Sequence, residues 1–229
     1  MIEDPPLLTI RRGFARPPAE TVARFRGVPT GNLADALGGR AAMRPAIKPV
    51  VAAAQRFVGV AVTCSCGPAD NLAVMGALSV AGPGDVIVAA ADGFLDAAIS
   101  GDVVAGIARN RGLAAFVTDG AVRDLEGLDQ VGLAVFAAGV TPDSCARSGP
   151  GTAGLPVVCG GVAVAPGDIV VGDRDGVVVV PAARIEEALA GLERVLAAER
   201  AILASVADGL ADPPAIAALA ARNLIRMVD

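Results

Sequence analysis

The chain has 229 residues, with 19 Lys and Arg against 24 Asp and Glu and a formal net charge of −5, an acidic balance that argues against a phosphate-binding surface. At 54% hydrophobic and 19% charged residues it is not a disordered chain, and its length can bury a core without disulfides or a structural metal. It has no His, Trp or Tyr and only six Phe, which excludes a Ser-His-Asp triad, a Cys-His pair, a phosphohistidine, a His-ligated zinc or iron, and a base-stacking platform.

Residues 1–18 are rich in Pro and Arg and read as an arm, with Arg11, Arg12 and Arg16 solvated. The N-terminus lacks the basic and apolar stretches of a signal peptide, and no unbroken run matches the roughly 20 apolar residues of a membrane helix. A soluble cytoplasmic protein is expected, with neither membrane nor nucleic acid as partner. Residues 19–27 look helical. Thr30 or Asn32 can then cap a short helix stopped by Gly38-Gly39. Residues 47–53 and 57–64 are rich in branched side chains and read as strands. Asp70 to Leu78 reads as a helix with Asp70 near its N-cap. Gly84 to Ala90 reads as a turn and a strand, and the apolar spacing predicts one helix over 94–110. Ala114 to Thr118 is a short buried strand closed by the Asp119-Gly120 turn. Residues 121–130 read as a helix and Ala134 to Ala138 as a strand. The stretches 157–164 and 169–180 read as a β-hairpin turned at Asp173–Gly176. A long amphipathic helix is expected from Ala182 to about Ala207, and a second over roughly 212–226.

Pro83 to Gly93 echoes Pro166 to Gly176: each is a Pro-Gly turn, a valine-rich strand and an Asp-Gly turn. Two copies without a short period suggest equivalent strand starts, not a solenoid. No low-complexity linker divides the chain. The expectation is one α/β domain over 1–229 with a central mixed sheet, the arm at 1–18, and C-terminal helices over about 182–226 that pack on a neighbouring subunit. Cys64, Cys66, Cys145 and Cys159 form neither a CxxC pair nor a zinc pattern. They read as small hydrophobes in a reduced interior.

Without histidine, any chemistry must come from carboxylates, Arg, Lys, Ser or Thr, Cys, backbone amides or an oxygen-held metal. The best candidates lie between 101 and 124. Thr118-Asp119-Gly120 ends a buried strand, where α/β folds place ligands. Gly101 permits close backbone approach to an anion. Arg123 offers a bidentate fork for a carboxylate, while Asp102 and Asp124 can hold a hard cation. A plain ion pair between Arg123 and Asp124 is the structural alternative. Lys48, the one lysine, lies in Ile-Lys-Pro away from this segment, so a Schiff-base route is not favoured. No GxGxxG follows a strand, so neither a nicotinamide cofactor nor a Rossmann-type methyltransferase is expected.

The spacing Asp102-x20-Arg123-Asp124 belongs to an ordered set of fragments. It begins at Thr30-x2-Leu33-x-Asp35-Ala36-Leu37 and runs through Gly67-x2-Asp70-Asn71, Pro83-Gly84-Asp85, Gly101-Asp102 and Asp119-Gly120-x2-Arg123-Asp124. Val135-Phe136-Ala137-x-Gly139, Pro166-Gly-Asp and Asp173-x-Asp175-Gly176-Val177 complete it. The set resembles the RraA-like family. That family joins class II pyruvate aldolases acting on 4-hydroxy-4-methyl-2-oxoglutarate and 4-carboxy-4-hydroxy-2-oxoadipate with regulators of ribonuclease E activity.

The resemblance implies a swivelling β/β/α fold assembled as a trimer or a dimer of trimers, with sites between subunits. It implies Mg2+ or Mn2+ held at Asp124, mostly through water. It implies Arg123 on the pyruvyl carboxylate or keto oxygen, and Asp102 positioning water and substrate. Asn71 and the backbone of Gly101, Asp102, Val103 and Val104 join the substrate-binding set. Glu199 is the implied counterpart of a glutamate that reaches the metal's water shell from a neighbouring subunit. The implied activity is a lyase, an aldolase or an oxaloacetate decarboxylase acting through a pyruvate enolate, with water relayed by a carboxylate as base. The alternative is a non-catalytic regulator of the ribonuclease E type. One position departs from the family's Arg-Asp-x2-Glu/Asp: Gly127 stands where the acid is usual, and Glu126 comes one residue early, about 100° around a helix.

Overall fold

The computed structural model describes residues 6–52 and 54–228; residues 1–5 of the arm, Ala53 and Asp229 lie outside the described residues. In chain order the elements are β1 (Leu8–Ile10), α1 (Ala19–Ala23), α2 (Thr30–Ala36), β2 (Lys48–Pro49), β3 (Phe57–Ser65), α3 (Leu72–Val80), β4 (Asp85–Ala90), β5 (Ala98–Ser100), α4 (Asp102–Asn110), β6 (Ala115–Thr118), β7 (Ala121–Val122), α5 (Leu125–Val131), β8 (Ala134–Ala137) and β9 (Gly139–Val140). They continue with β10 (Gly151–Ala153), β11 (Val157–Cys159), β12 (Val162–Val164), β13 (Ile169–Asp173), β14 (Gly176–Val180), a 3-10 turn at Ala182–Arg184, α6 (Ile185–Ala207) and α7 (Pro214–Ala221).

A nine-stranded mixed sheet is the centre. β3, β4, β6 and β8 are parallel neighbours joined by crossovers that contain α3, α4 and α5. Every residue of β4 and β6 is buried, as expected of parallel strands covered on both faces. Ile87 and Ala89 belong to the apolar cluster under the three crossover helices, while Val86 and Val88 belong to the cluster on the opposite face. There Phe57 meets Phe136 edge to face at 5.0 Å between centroids. β3 forks the sheet. Its first residues pair antiparallel with β13, and Cys64 and Ser65 pair with β10. The arm is not loose: β1 adds parallel to β10. A third cluster seats Phe25, Leu33 and Leu189 against Ile169 and Val180 of the β13–β14 hairpin. This architecture is the α/β class with a central mixed sheet and a C-terminal helical segment that the sequence implies.

A second sheet, β5-β7-β9, is parallel throughout. β5 follows β4 in the chain, β7 follows β6 and β9 follows β8. The small sheet repeats the lateral order of the large one and carries those strands onward past their turns. This corrects the helix expected over 94–110. Ala98–Ser100 is a strand, and helix begins only at Asp102. Pairing with β7 holds Ala98–Ser100, and Gly101 at φ −158°, ψ −164° is extended. A short apolar run fits either period, so tertiary pairing decides it. Likewise Ala121–Val122 is strand and α5 starts at Leu125. Among the described residues of 47–53, Lys48–Pro49 alone is strand, with the Val50 N–H adding a bond to the Val135 carbonyl at 2.9 Å.

The repeated Pro-Gly-Asp segments are equivalent strand starts in atomic detail. Gly84 and Gly167 take positive φ of 80° and 98°, as a turn before a strand requires. The buried Asp85 then accepts the N–H of Gly82 at 2.9 Å, and Asp168 that of Ala165 at 2.8 Å. Arg16 corrects the reading of a solvated arm: it forks Asp85 at 2.8 and 3.2 Å and lies 4.2 Å over the Phe14 ring. Cys64, Cys66 and Cys159 are buried and unbridged. Among the described residues, no helix is long and apolar enough to cross a membrane.

Thr30 and Asn32 do not cap α2. Thr30 instead gives its backbone N–H and its hydroxyl to Asp173, at 2.9 and 2.7 Å, tying α2 to the hairpin. Burial opposes the charge on Asp173, but the Thr30 and Asp175 hydrogen bonds and Arg56 outweigh it and hold the carboxyl below its ordinary value. A lowered pKa contributes stability above the unfolded value, near 3.9, which is lost as pH falls through the folded one. Asp173→Asn should therefore cost about 1–3 kcal/mol at pH 7. In urea titrations the gap from the parent should narrow below about pH 4; a gap independent of pH would refute this account.

Candidate active site

The site starts from a strand pair. Ser100 of β5 is in register with Val122 of β7, and the Arg123 N–H donates to the Ser100 carbonyl at 3.1 Å. Each chain then turns into a helix, so the N-termini of α4 and α5 lie side by side. Gly101 precedes α4 and has no side chain to cap it; Asp102 is its first residue. Asp124 precedes α5 in the left-handed region, φ 61°, ψ 48°, a conformation Asp tolerates better than most residues.

That backbone brings the side chains into contact. Asp124 Oδ2 lies 3.2 Å from Arg123 Nε, with both side chains about two-fifths exposed (40% and 41%). A Cβ on Gly101 would stand 2.4 Å from Asp124 Oδ2 and 3.2 Å from Arg123 Cγ. Gly101 is therefore the space in which this pair sits. Arg123 also donates an Nη hydrogen bond to Ser144.

These groups line a cleft of about 490 Å³ with Asn71, Met75, Ser100, Val103, Val104, Ile107, Cys145 and Arg147. The cleft brings together Asn71, Gly101, Asp102, Val103, Val104, Arg123 and Asp124, residues singled out across 54 positions of sequence. Two buried polar atoms in its wall lack partners among the described residues: Asn71 Oδ1 and Ser100 Oγ. Asn71 is held in place because its Nδ2 donates to the Ile99 carbonyl at 3.1 Å, which leaves Oδ1 as an acceptor without a donor. A native wall keeps such an atom unpaired where a ligand or ordered water supplies the partner.

The sequence passed over Ser144, Cys145 and Arg147. They lie on a loop without a motif of its own, and only the backbone pairing of Ser144 with Ala98 and of Ala146 with Asp70 puts that loop over the site. Burial pushes the Cys145 thiol up, so it is a neutral wall and not a thiolate nucleophile.

One expected contributor, Glu199, is absent from the cleft of one chain, and so is Lys48, for which no part was expected. Glu199 stands exposed on α6 and accepts a hydrogen bond from Asn32 Nδ2, so any part in this chemistry needs a second copy. Lys48 donates its Nζ to the Asp175 carbonyl, outside the cleft. Gly127 has a positive role. A Cβ there would stand 2.6 Å from Asp102 Oδ2 and 2.7 Å from Asp102 Cβ. The position where the resemblance led us to expect an acid is thus open so that Asp102 can lean across the first turn of α5. Glu126 is exposed and not part of the cleft wall.

The donor set suits a hard cation better than a soft one. Among the described residues, no three His, Cys, Asp or Glu side chains group together. Asp124 and Asp102 offer carboxylates, and Mg2+ commonly takes one or two of these and keeps several waters. The N-terminus of α4 and the Arg123 fork suit a carboxylate ligand.

Comparison with known proteins bears on the family and the fold. The RraA-like family model, described as Aldolase/RraA, matches residues 30–179. A protein of Halalkalibacterium halodurans that carries the provisional name 4-hydroxy-4-methyl-2-oxoglutarate aldolase is 39% identical over 189 residues, which is 82% of this chain and 90% of that one. Streptomyces coelicolor RraAS2, described as an unusual member of the RNase ES inhibitor RraA family, superposes with a TM-score of 0.73 at 28% identity over 84% of this chain and 98% of its own. A Pseudomonas syringae protein described as uncharacterized gives a TM-score of 0.75 at 26% identity over 86% and 97%. With the family match spanning residues 30–179 and a relative 39% identical, this chain belongs to the RraA-like family.

Proposed function

We propose that the protein is a divalent-metal-dependent lyase that releases pyruvate from a 4-hydroxy-2-oxo dicarboxylic or tricarboxylic acid, and that it can decarboxylate oxaloacetate. The observation that carries this reading is the cleft wall itself. Arg123, Asp124 and Asp102 converge at two helix N-termini beside the unpartnered Asn71 Oδ1 and Ser100 Oγ, an arrangement suited to a small polar anion. The aldolase name of the 39% identical relative supports the same chemistry. A ribonuclease regulator, the rival reading, has no need of such a wall.

Mg2+ or Mn2+ held at Asp124 would supply Lewis-acid stabilisation of the charge that develops on the 2-keto oxygen. The chain's own residues do the rest. The Val103 N–H donates to Asp102 Oδ1 at 2.7 Å, so the backbone amides of Asp102 and Val104 bind the pyruvyl carboxylate at the N-terminus of α4. Arg123 adds a fixed positive charge that cannot titrate away. The 4-hydroxyl passes its proton through water to Asp102, the C3–C4 bond breaks so that C4 leaves as the carbonyl of a second acid, and the resulting pyruvate enolate takes that proton back at C3, which returns Asp102 to its carboxylate as pyruvate leaves. Asn71 Oδ1 accepts from the substrate hydroxyl or the water beside it.

The exposed apolar residues Leu203, Val206, Leu224 and Met227 support packing of the C-terminal segment on a second copy, and the assembly proposed is a homotrimer or homohexamer, with the cytoplasm as its proposed location. In that assembly Glu199 of one copy would serve the metal's water shell in another.

Pyruvate release from 4-hydroxy-4-methyl-2-oxoglutarate and from oxaloacetate should require Mg2+ or Mn2+ and vanish in EDTA. The reading fails if neither acid turns over above background with metal. Arg123→Ala should lower kcat by about 100- to 1,000-fold with the oligomer intact by sedimentation; loss of folding instead would point to a structural ion pair. Gly127→Ala should cost about 1–3 kcal/mol in urea unfolding. In an Asp102→Gly background, where the opposing Cβ is gone, the same change should be near neutral. Equal cost in both backgrounds would disprove the Gly127–Asp102 contact.

A further inference from the structure

We infer that Arg147 is the recognition group for the substrate's second carboxylate, so that this cleft selects 2-oxo acids with a distal carboxylate over pyruvate-like monoacids. The inference rests on the lyase reading of the cleft and adds a specificity-determining residue to it.

Arg147 lines the cleft and is exposed, and it has no ion-pair or side-chain hydrogen-bond partner among the described residues. Arg16, Arg111 and Arg184, in contrast, are tied to a carboxylate or a carbonyl. A guanidinium that faces a cleft with all its donors unspent is poised for an anion.

Its backbone is fixed, which separates it from an ordinary surface arginine. The Asp143 carbonyl accepts from Ala98 N at 2.9 Å, and Ala146 both accepts from Asn71 N at 3.0 Å and donates to the Ala69 carbonyl at 2.7 Å. Asp70 then takes the N–H groups of Ser148 and, at 3.0 Å, Gly149. The segment is clamped on both sides of Arg147. Cys145 and Arg147 are two residues apart on it, the spacing that puts side chains on one side of an extended chain, and both line the cleft. Ser144 of the same segment receives the Arg123 hydrogen bond, so one loop sets the relation between the two arginines.

The placement also divides the labour by charge. Asp102 and Asp124 stand at the helix N-termini with Arg123, where the keto acid end and the cation belong. The loop wall adds no carboxylate to the cleft lining; beside Arg147 it presents Cys145 and Ser144. Neutral Cys145 and Met75 leave room for an uncharged C4 substituent between the two charged ends. A cleft of about 490 Å³ is in the range that holds whole drug-sized ligands, far beyond the needs of pyruvate alone.

The test compares two probes that lack a 4-hydroxyl to cleave on the Mg2+-loaded full chain by calorimetry: pyruvate, and 2-oxoglutarate, which repeats the carboxylate spacing of 4-hydroxy-4-methyl-2-oxoglutarate without its hydroxyl and methyl groups. The parent protein should bind 2-oxoglutarate about tenfold tighter than pyruvate, as a bidentate charge-assisted contact at a partly exposed site would give. Added salt should narrow that ratio. Arg147→Gln should bring it close to one, and Arg147→Lys should restore only part of it. Equal binding of both acids by the parent, or an equal loss of both in Arg147→Gln, overturns the assignment while leaving the lyase reading intact. Binding of neither acid overturns both. A changed oligomeric state in Arg147→Gln with the ratio unchanged would assign Arg147 to a subunit contact and sink the proposal. On 4-hydroxy-4-methyl-2-oxoglutarate the Arg147→Gln loss should appear in KM, about tenfold, with kcat little moved; a loss confined to kcat would count against it.

Discussion

One backbone hydrogen bond, from the Arg123 N–H to the Ser100 carbonyl at 3.1 Å, sets the geometry on which the rest depends. It fixes the lateral spacing of two parallel strands, and each strand ends in a helix N-terminus. Gly101 and Asp124 therefore face each other at a distance no side chain on Gly101 could tolerate. The same spacing sends Asp102 across to Gly127. Two glycines, one before α4 and one within α5, are thus the negative image of two aspartates. The small sheet repeats the order of the large one, so this local register is set in turn by the β4-β6-β8 core, where every residue of β4 and β6 is buried. Precision at the site comes from the scaffold, as a constellation built on strand ends requires.

Much of this was legible from sequence, for identifiable reasons. β3 was readable from its branched residues, α3 from Asp70 near its N-terminus, the β13–β14 hairpin from its Asp-Gly turn, and α6 from helical spacing over a sufficient length. The aspartates of the Pro-Gly-Asp repeats play the same part in both copies because a turn with positive φ followed by a buried aspartate is a local device. Asp102, Arg123 and Asp124 were legible as a spacing, and the strand register explains it: one crossover helix and one strand lie between the paired positions Ser100 and Val122.

The rest was set by tertiary pairing. Ala98–Ser100 has helical spacing yet is a strand, since β7 offers it a ladder that the isolated sequence does not reveal. Arg16 looked solvated because its partner Asp85 lies 69 positions away. Thr30 looked like a cap because capping is local, but Asp173 takes both of its donors from 143 positions away. Gly127 shows the limit most clearly. Read along the chain it is a missing acid. In space it is room for Asp102, and no helical-period argument could reveal that. The loop of Ser144, Cys145 and Arg147 carries no motif because it is placed by backbone bonds to Ala98, Ala69 and Asn71 and by the carboxylate of Asp70, more than 70 positions away in the chain.

The absence of histidine gains a physical meaning in this setting. The ionised side chains lining the cleft are Asp102 and Asp124 against Arg123 and Arg147, a formal sum of zero. On the lyase reading, a divalent cation and a dicarboxylic substrate cancel one another, so the residues of one chain stay balanced and Glu199 of a second copy would add a single negative charge. Removing charges from water is costly unless each is paired, so a neutral ensemble can close over its ligand where an unbalanced one could not. An imidazole would change charge close to neutral pH and upset that balance with each proton. A cleft built from arginine and carboxylate side chains holds no group of that kind, which leaves proton movement to the substrate's own hydroxyl, the water beside it and Asp102, where retro-aldol cleavage needs it.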